Sequence, residues 1–187
     1  MQLMKPSTPV SIHPFARKCV RQQSGFSLIE VLVSALILAI GLVGVAGLQA
    51  VSLKNNQSTF MRSQAAALAY DLADRMRANV PGATAGAYDP SAAALSSGCN
   101  TVSGCTPVAL AAHDIAEWNA LIAAYLPLGQ GFVCIDSTPN DGTGTGNPQC
   151  DGTGTQFSVK IWWDDDRDGV MTVSATNNAR IVISFQL

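Results

Sequence analysis

Three groups of residues in this 187-residue chain have the type and spacing to do chemistry. The first lies in "RQQSGFSLIEVLVSALILAIGLVGVAGLQA", residues 21–50. From Phe26 to Leu53 the only formally charged residue is Glu30. A carboxylate in hydrocarbon costs several kcal/mol unless it is paired or lies near the interface. Glu30 therefore asks for a cation. The second group is Asp164, Asp166, Asp168 and Gly169 in "WWDDDRDGV". Alternating carboxylates ahead of a glycine turn match the D-x-D-x-D-G opening of a calcium loop. The last position of such a loop needs a glutamate, and Ala175 stands there. Calcium binding by Asp164, Asp166 and Asp168 and a solvated hairpin turn with no ion are both readings of this stretch. The third group is Cys99, Cys105, Cys134 and Cys150, with Cys19 far upstream. Four thiols in loop-rich sequence read as two disulfides formed in an oxidising compartment. Three pairings are open, and Cys99–Cys105 with Cys134–Cys150 closes the shortest loops. Four free thiols or a metal site is the other reading, although no CxxC occurs.

No catalytic residue is expected. After His13 in the basic N-terminal piece, His113 is the only histidine, beside Asp114, and reads as a satisfied or solvent-facing residue. No GxSxG, HExxH or phosphate loop occurs. The charge is uneven. Lys5, Arg17, Lys18 and Arg21 precede Gly25 without an acid, and the seven remaining basic residues face 13 acids, a net charge of about -6. A product of that sign has no electrostatic reason to bind nucleic acid.

The elements that position these groups read in order. After Glu30 the apolar run is long enough to cross a hydrocarbon core of roughly 30 Å at about 1.5 Å per residue. It is too long for the h-region of a secretory signal peptide, which also carries no acid. A plain anchor explains the length but not Glu30. Gly41, Gly44 and Gly47 allow close helix packing or soften the helix. Beyond Lys54, Ala65, Leu68, Leu72 and Met76 recur at helical spacing. Arg62, Asp71, Asp74, Arg75 and Arg77 fall off that stripe, and Val80-Pro81-Gly82 reads as a stop. One helix from about Ser27 to Asn79 would be roughly 80 Å long. Residues 82–105 read as a loop with a small disulfide ring. A second helix follows, with Thr106 as N-cap, Pro107 in its first turn and Ala111, Ile115, Trp118, Ile122 and Tyr125 on its core face. "GFVCID", "QFSVKIWWDD" and "RIVISFQL" read as strands. The turn-formers between the first two are flanked by Cys134 and Cys150. The class is α+β.

The stretch "SGFSLIEVLVSALILAIGLVGV" resembles the N-terminus of type IV prepilins and pseudopilins. The resemblance implies a leader of residues 1–25, cut between Gly25 and Phe26 by a prepilin peptidase, with N-methylation of Phe26. It implies a hydrophobic transmembrane and assembly helix over 26–53. A periplasmic head would cover 54–187, including the second half of the long helix. The fold implied is the type IV pilin fold: a long helix, its hydrophobic half protruding, packed under a small antiparallel sheet of three or four strands. Glu30 matches the family's glutamate five residues into the mature chain, and its partner would be the Phe26 amine of a neighbouring subunit. Within the family, "DIAEWNALIAAYLPLG", "GFVCID" and "VKIWWDDDRDG" are similar to the PilV subfamily of minor pilins, the type IV pilus modification proteins. This implies a subunit that primes or modifies pilus assembly, affecting adhesion and twitching motility. Other minor and major pilins would be its partners. It would reside in the inner membrane with a periplasmic head and then in the pilus at the cell surface. A minor pseudopilin of a type II secretion system is the alternative. No cofactor is implied.

Overall fold

The structure, a computed structural model, describes residues 25–89, 94–171 and 179–187. The expected leader, with Cys19, and Ala175 of the acidic loop lie outside them. The chain divides into two units, Met1–Gly47 and Leu48–Leu187.

Helix α1, Leu28–Ala78, contributes to both. In the first unit every described residue is exposed. A Cβ added at Gly41 or Gly44 meets nothing within 4 Å. These small residues therefore serve no contact inside the chain.

In the second unit α1 becomes amphipathic. Met61, Ala65, Leu68, Ala69, Leu72, Ala73 and Met76 are buried at helical spacing. The expected stop after Asn79 is instead a hinge into a second helix, α2, Val80–Thr84. The buried Asn79 side chain accepts from the Gly82 amide and donates to the Pro107 carbonyl at 2.8 Å. Pro81 lies in the first turn of α2, where its missing N–H costs nothing. The expected loop therefore contains α2 and, farther on, a 3₁₀ turn at Ser97–Asn100.

Helix α3, Pro107–Tyr125, begins where the sequence places it, with the Ala109 amide bonded to Thr106 Oγ1. Ala111, Ile115, Trp118 and Ile122 are buried, but Tyr125 is exposed. The chain leaves the helix at Leu126 in an extended conformation, and the buried Leu126 side chain takes the core place expected of Tyr125.

The sheet has three antiparallel strands in the order β1, Gln130–Ile135; β2, Phe157–Trp162; β3, Arg180–Phe185. Gln130 faces Trp162, and Trp162 faces Arg180. Central β2 is buried at all six positions, so both faces of the sheet are covered. Phe157, Val159 and Ile161 join the core with the α1 and α3 stripes. Ser158, Lys160 and Trp162 occupy the opposite face by strand alternation. A Cβ on Gly131 would lie 2.4 Å from Ile122 Cδ1 and 2.5 Å from the Trp118 ring. Glycine there lets α3 seat directly on β1.

Candidate functional site

Gly25, Phe26 and Ser27 precede α1, and the Ser27 carbonyl accepts from the amides of Glu30, at 3.0 Å, and Val31. Glu30 sits in the first helical turn, where the helix dipole favours an anion. Phe26 is 82% exposed. A Cβ on Gly25 would meet nothing within 4 Å, so no packing requirement of this chain explains that glycine. Among the described residues Glu30 has no charged partner. An accessible bond beside a small residue and an unmatched carboxylate five residues on are what cleavage and a later pairing from outside would need.

The acidic turn is built around Asp164, which is almost fully buried. Its carboxylate accepts from the amides of Arg167 at 2.8 Å and Gly169 at 2.9 Å. Burial opposes ionisation, but these amides outweigh it and hold the carboxyl below its usual range. Asp168 accepts from the Val170 amide. Asp165 accepts from Trp163 Nε1 and from Ser58 Oγ, tying the turn to α1. Carboxylate oxygens of Asp164, Asp166 and Asp168 lie within 4.8 Å of one another. Asp164 is thus a buried turn cap rather than the solvated acid the sequence suggested.

Two further polar clusters were not legible in the sequence. In one, Tyr88 is buried, donates to Asp114 Oδ2 at 2.6 Å and accepts from Asn79. Burial and the bond to Asp114 push its hydroxyl well above the usual tyrosine range. Arg75 reaches Asp71, Asp114 and Glu117, tying α1 to α3. Its hydrogen bond holds the Glu117 carboxyl below the ordinary range. His113 is buried; its Nδ1 accepts from the Ser96 amide at 3.2 Å, and its Nε2 lies 3.2 Å from Glu117. That partnering makes it a structural histidine. In the other cluster Lys160, at 0% exposure, meets Asp136 and Asp141 at 2.6 Å each and the Pro148 carbonyl at 2.9 Å. The one signal was a lone lysine inside an apolar strand.

The cysteines form Cys99–Cys105 and Cys134–Cys150. The second disulfide closes the segment carrying Asp136, Asp141 and Pro148, which lies across the outer face of the sheet. Arg180 extends the seal by donating to the Gly142 and Asn140 carbonyls. Asp136 also lies near both sulfurs of that disulfide, but the sulfurs are joined to each other and Asp136 is committed to Lys160.

Among the described residues α1 alone is long and apolar enough to cross a membrane. The prokaryotic N-terminal methylation motif matches residues 20–46. The Tt1218-like family, type IV pilin Tt1218, matches residues 47–116. No curated protein and no solved structure matches the chain. The two family matches meet end to end across the exposed junction, the apolar helix, the amphipathic half of α1 and the first half of α3. The long helix, small antiparallel sheet, shorter helix and two disulfides fit the type IV pilin fold, and the two matches together support a type IV pilin-like family.

Proposed function

We propose that this chain is a minor pilin that primes or modifies the assembly of a type IV pilus, and so affects adhesion and twitching motility. Type IV pilins are structural subunits, and this reading gives the chain no catalytic role. In it a prepilin peptidase cuts between Gly25 and Phe26, and Phe26 is N-methylated. The subunit waits in the inner membrane with its head in the periplasm before joining other minor and major pilins. The observation that carries the reading is Glu30, a carboxylate with no charged partner among the described residues, in the first turn of an exposed apolar helix. In a filament the Phe26 amine of a neighbour offsets the cost of burying that charge and fixes axial register. The likeness to the PilV subfamily supports a minor rather than a major subunit.

The reading is tested by the mature N-terminus and by Glu30→Ala. The chain isolated from cells should begin at methylated Phe26 and remain uncut without the peptidase. Glu30→Ala should insert normally and appear in purified pili at a much reduced level. A chain still beginning upstream of Phe26, or full incorporation of the variant, would overturn it. Appearance only with a secretion apparatus would instead identify a type II pseudopilin.

No cofactor enters this proposal. The acidic turn works as a self-capped turn, because its carboxylates already hold the amides of Arg167, Gly169 and Val170. Calcium should leave the melting temperature of the head unchanged. A rise that disappears in Asp166→Ala would show an ion site.

A further inference from the structure

We propose that the end of the head nearest the apolar part of α1 is a membrane-contacting rim, made by Phe60, Tyr125, Leu128 and Val170. The inference rests on the reading of α1 as a membrane anchor and goes beyond it, to the surface of the head.

Contacts within the second unit locate this end. Asn79 Nδ2 bonds the Pro107 carbonyl and Trp118 Nε1 bonds the Leu68 carbonyl at 2.8 Å, so α3 runs antiparallel to α1. Its last turn therefore lies beside the start of the buried stripe at Met61. The Asp164 amide bonds the Pro127 carbonyl, and Ser58 Oγ bonds Asp165. The end of α3, the 126–129 turn and the acidic turn thus meet α1 at about residue 58. The exposures there are 62% for Phe60, 58% for Tyr125, 53% for Leu128 and 56% for Val170. Leu128 also holds a left-handed backbone, φ 49°, which a branched side chain adopts at a cost. Leu128 thus exposes about half of a large apolar side chain from a backbone conformation that glycine would hold more easily.

The occupant follows from continuity with the helix below. Leu48, Val51 and Leu53, the last turns of the apolar run, are exposed in the same unit. Val31 to Leu53 spans about 34 Å of helix, slightly more than a hydrocarbon core. Phe60 follows Leu53 by about 10 Å along the axis. That is near the outer edge of the headgroup layer, which extends about 5–8 Å beyond the core and which phenyl and phenol rings favour. An average helix tilt of about 20° brings one side of the rim lower still. The neighbouring Asp166 and Asp168 make a zwitterionic surface a better fit than an anionic one.

The test uses the full chain, with Cys19→Ser, in phosphatidylcholine vesicles. Single cysteines carrying a nitroxide replace Tyr125, Leu128, Leu42 in the stem, or Val102 on the head away from the rim. Relative accessibility to oxygen and to a nickel chelate reports depth. Leu42 should read as hydrocarbon, Val102 as water, and Tyr125 and Leu128 as interfacial. If Leu42 reads as hydrocarbon while Tyr125 and Leu128 match Val102, the rim proposal fails and the anchor stands. If Leu42 reads as water, the anchor itself fails. If the rim signal disappears on tenfold dilution of protein in lipid, with loss of spin–spin broadening, a second copy covers the rim and the proposal is again overturned.

Discussion

Lys160 shows how a single residue can organise a face of the sheet. Its ammonium is fully buried and satisfied by Asp136, Asp141 and Pro148. Removing the cation alone leaves an uncompensated buried carboxylate, so Lys160→Met should cost about 3–5 kcal/mol in denaturant unfolding. Pairing it with Asp136→Leu should recover much of that loss, because the second change removes the stranded charge. A loss in the double variant equal to that in the single would show that packing, not charge, sets the cost. Tyr88→Phe should cost about 1–3 kcal/mol by stranding Asn79 and Asp114 in the interior. Glu30 could be found from sequence because an acid in an apolar run violates a local rule. Lys160 hinted at a buried pair for the same reason, but its partners lie in a turn-rich segment with no periodicity to place them. Tyr88 gave no signal, because its surroundings are created by α2 and α3 folding back on it.

At the scale of elements, the sequence was readable wherever one local rule acted alone. Thr106-Pro107 fixed the start of α3, and the Met61 to Met76 stripe fixed the buried face of α1. It misled where tertiary contacts redirected the chain. Val80-Pro81-Gly82 carries breaker residues, yet Asn79 bridges α1, α2 and Pro107 and turns the break into a hinge. Gly82 is required there, since a Cβ would lie 2.6 Å from the Pro107 carbonyl. The segment closed by Cys134–Cys150 looked like a loose loop because turn-formers do not disclose what they cover. It seals the outer face of β2 through Lys160 and Arg180. Replacing both cysteines by serine should therefore cost about 3 kcal/mol. It should also speed amide exchange in β2 more than in α3. Equal change in both elements would mean that the disulfide acts only on the unfolded chain. Gly131→Ala tests the α3–β1 contact separately and should cost about 1–3 kcal/mol through overpacking against Trp118 and Ile122.

For the whole molecule, the first unit carries only Glu30 of the 13 acids, and the second carries the other 12. That unit is held by ionised carboxylates at several independent points, which sets the shape of its stability against pH. The Glu117 carboxyl is depressed by Arg75. Those of Asp141 and Asp164 are depressed by their hydrogen bonds, against the opposing effect of burial. Each binds its proton less readily folded than unfolded. Its contribution is therefore present above the ordinary carboxylate value of about 4 and is lost as pH falls below it. Tyr88 acts in the opposite direction. Its hydroxyl is raised by burial and by Asp114, so the folded state resists an ionisation that the unfolded chain undergoes near pH 10. That contribution is complete below about pH 10 and disappears as pH rises above it. Urea midpoints of the chain in detergent should therefore fall on both sides, below about pH 4 and above about pH 10. Tyr88→Phe should flatten the alkaline side alone, and Glu117→Gln should make the acid side shallower without touching the other. An alkaline loss that survives Tyr88→Phe would place the titrating group elsewhere and remove Tyr88 as the source of the alkaline transition.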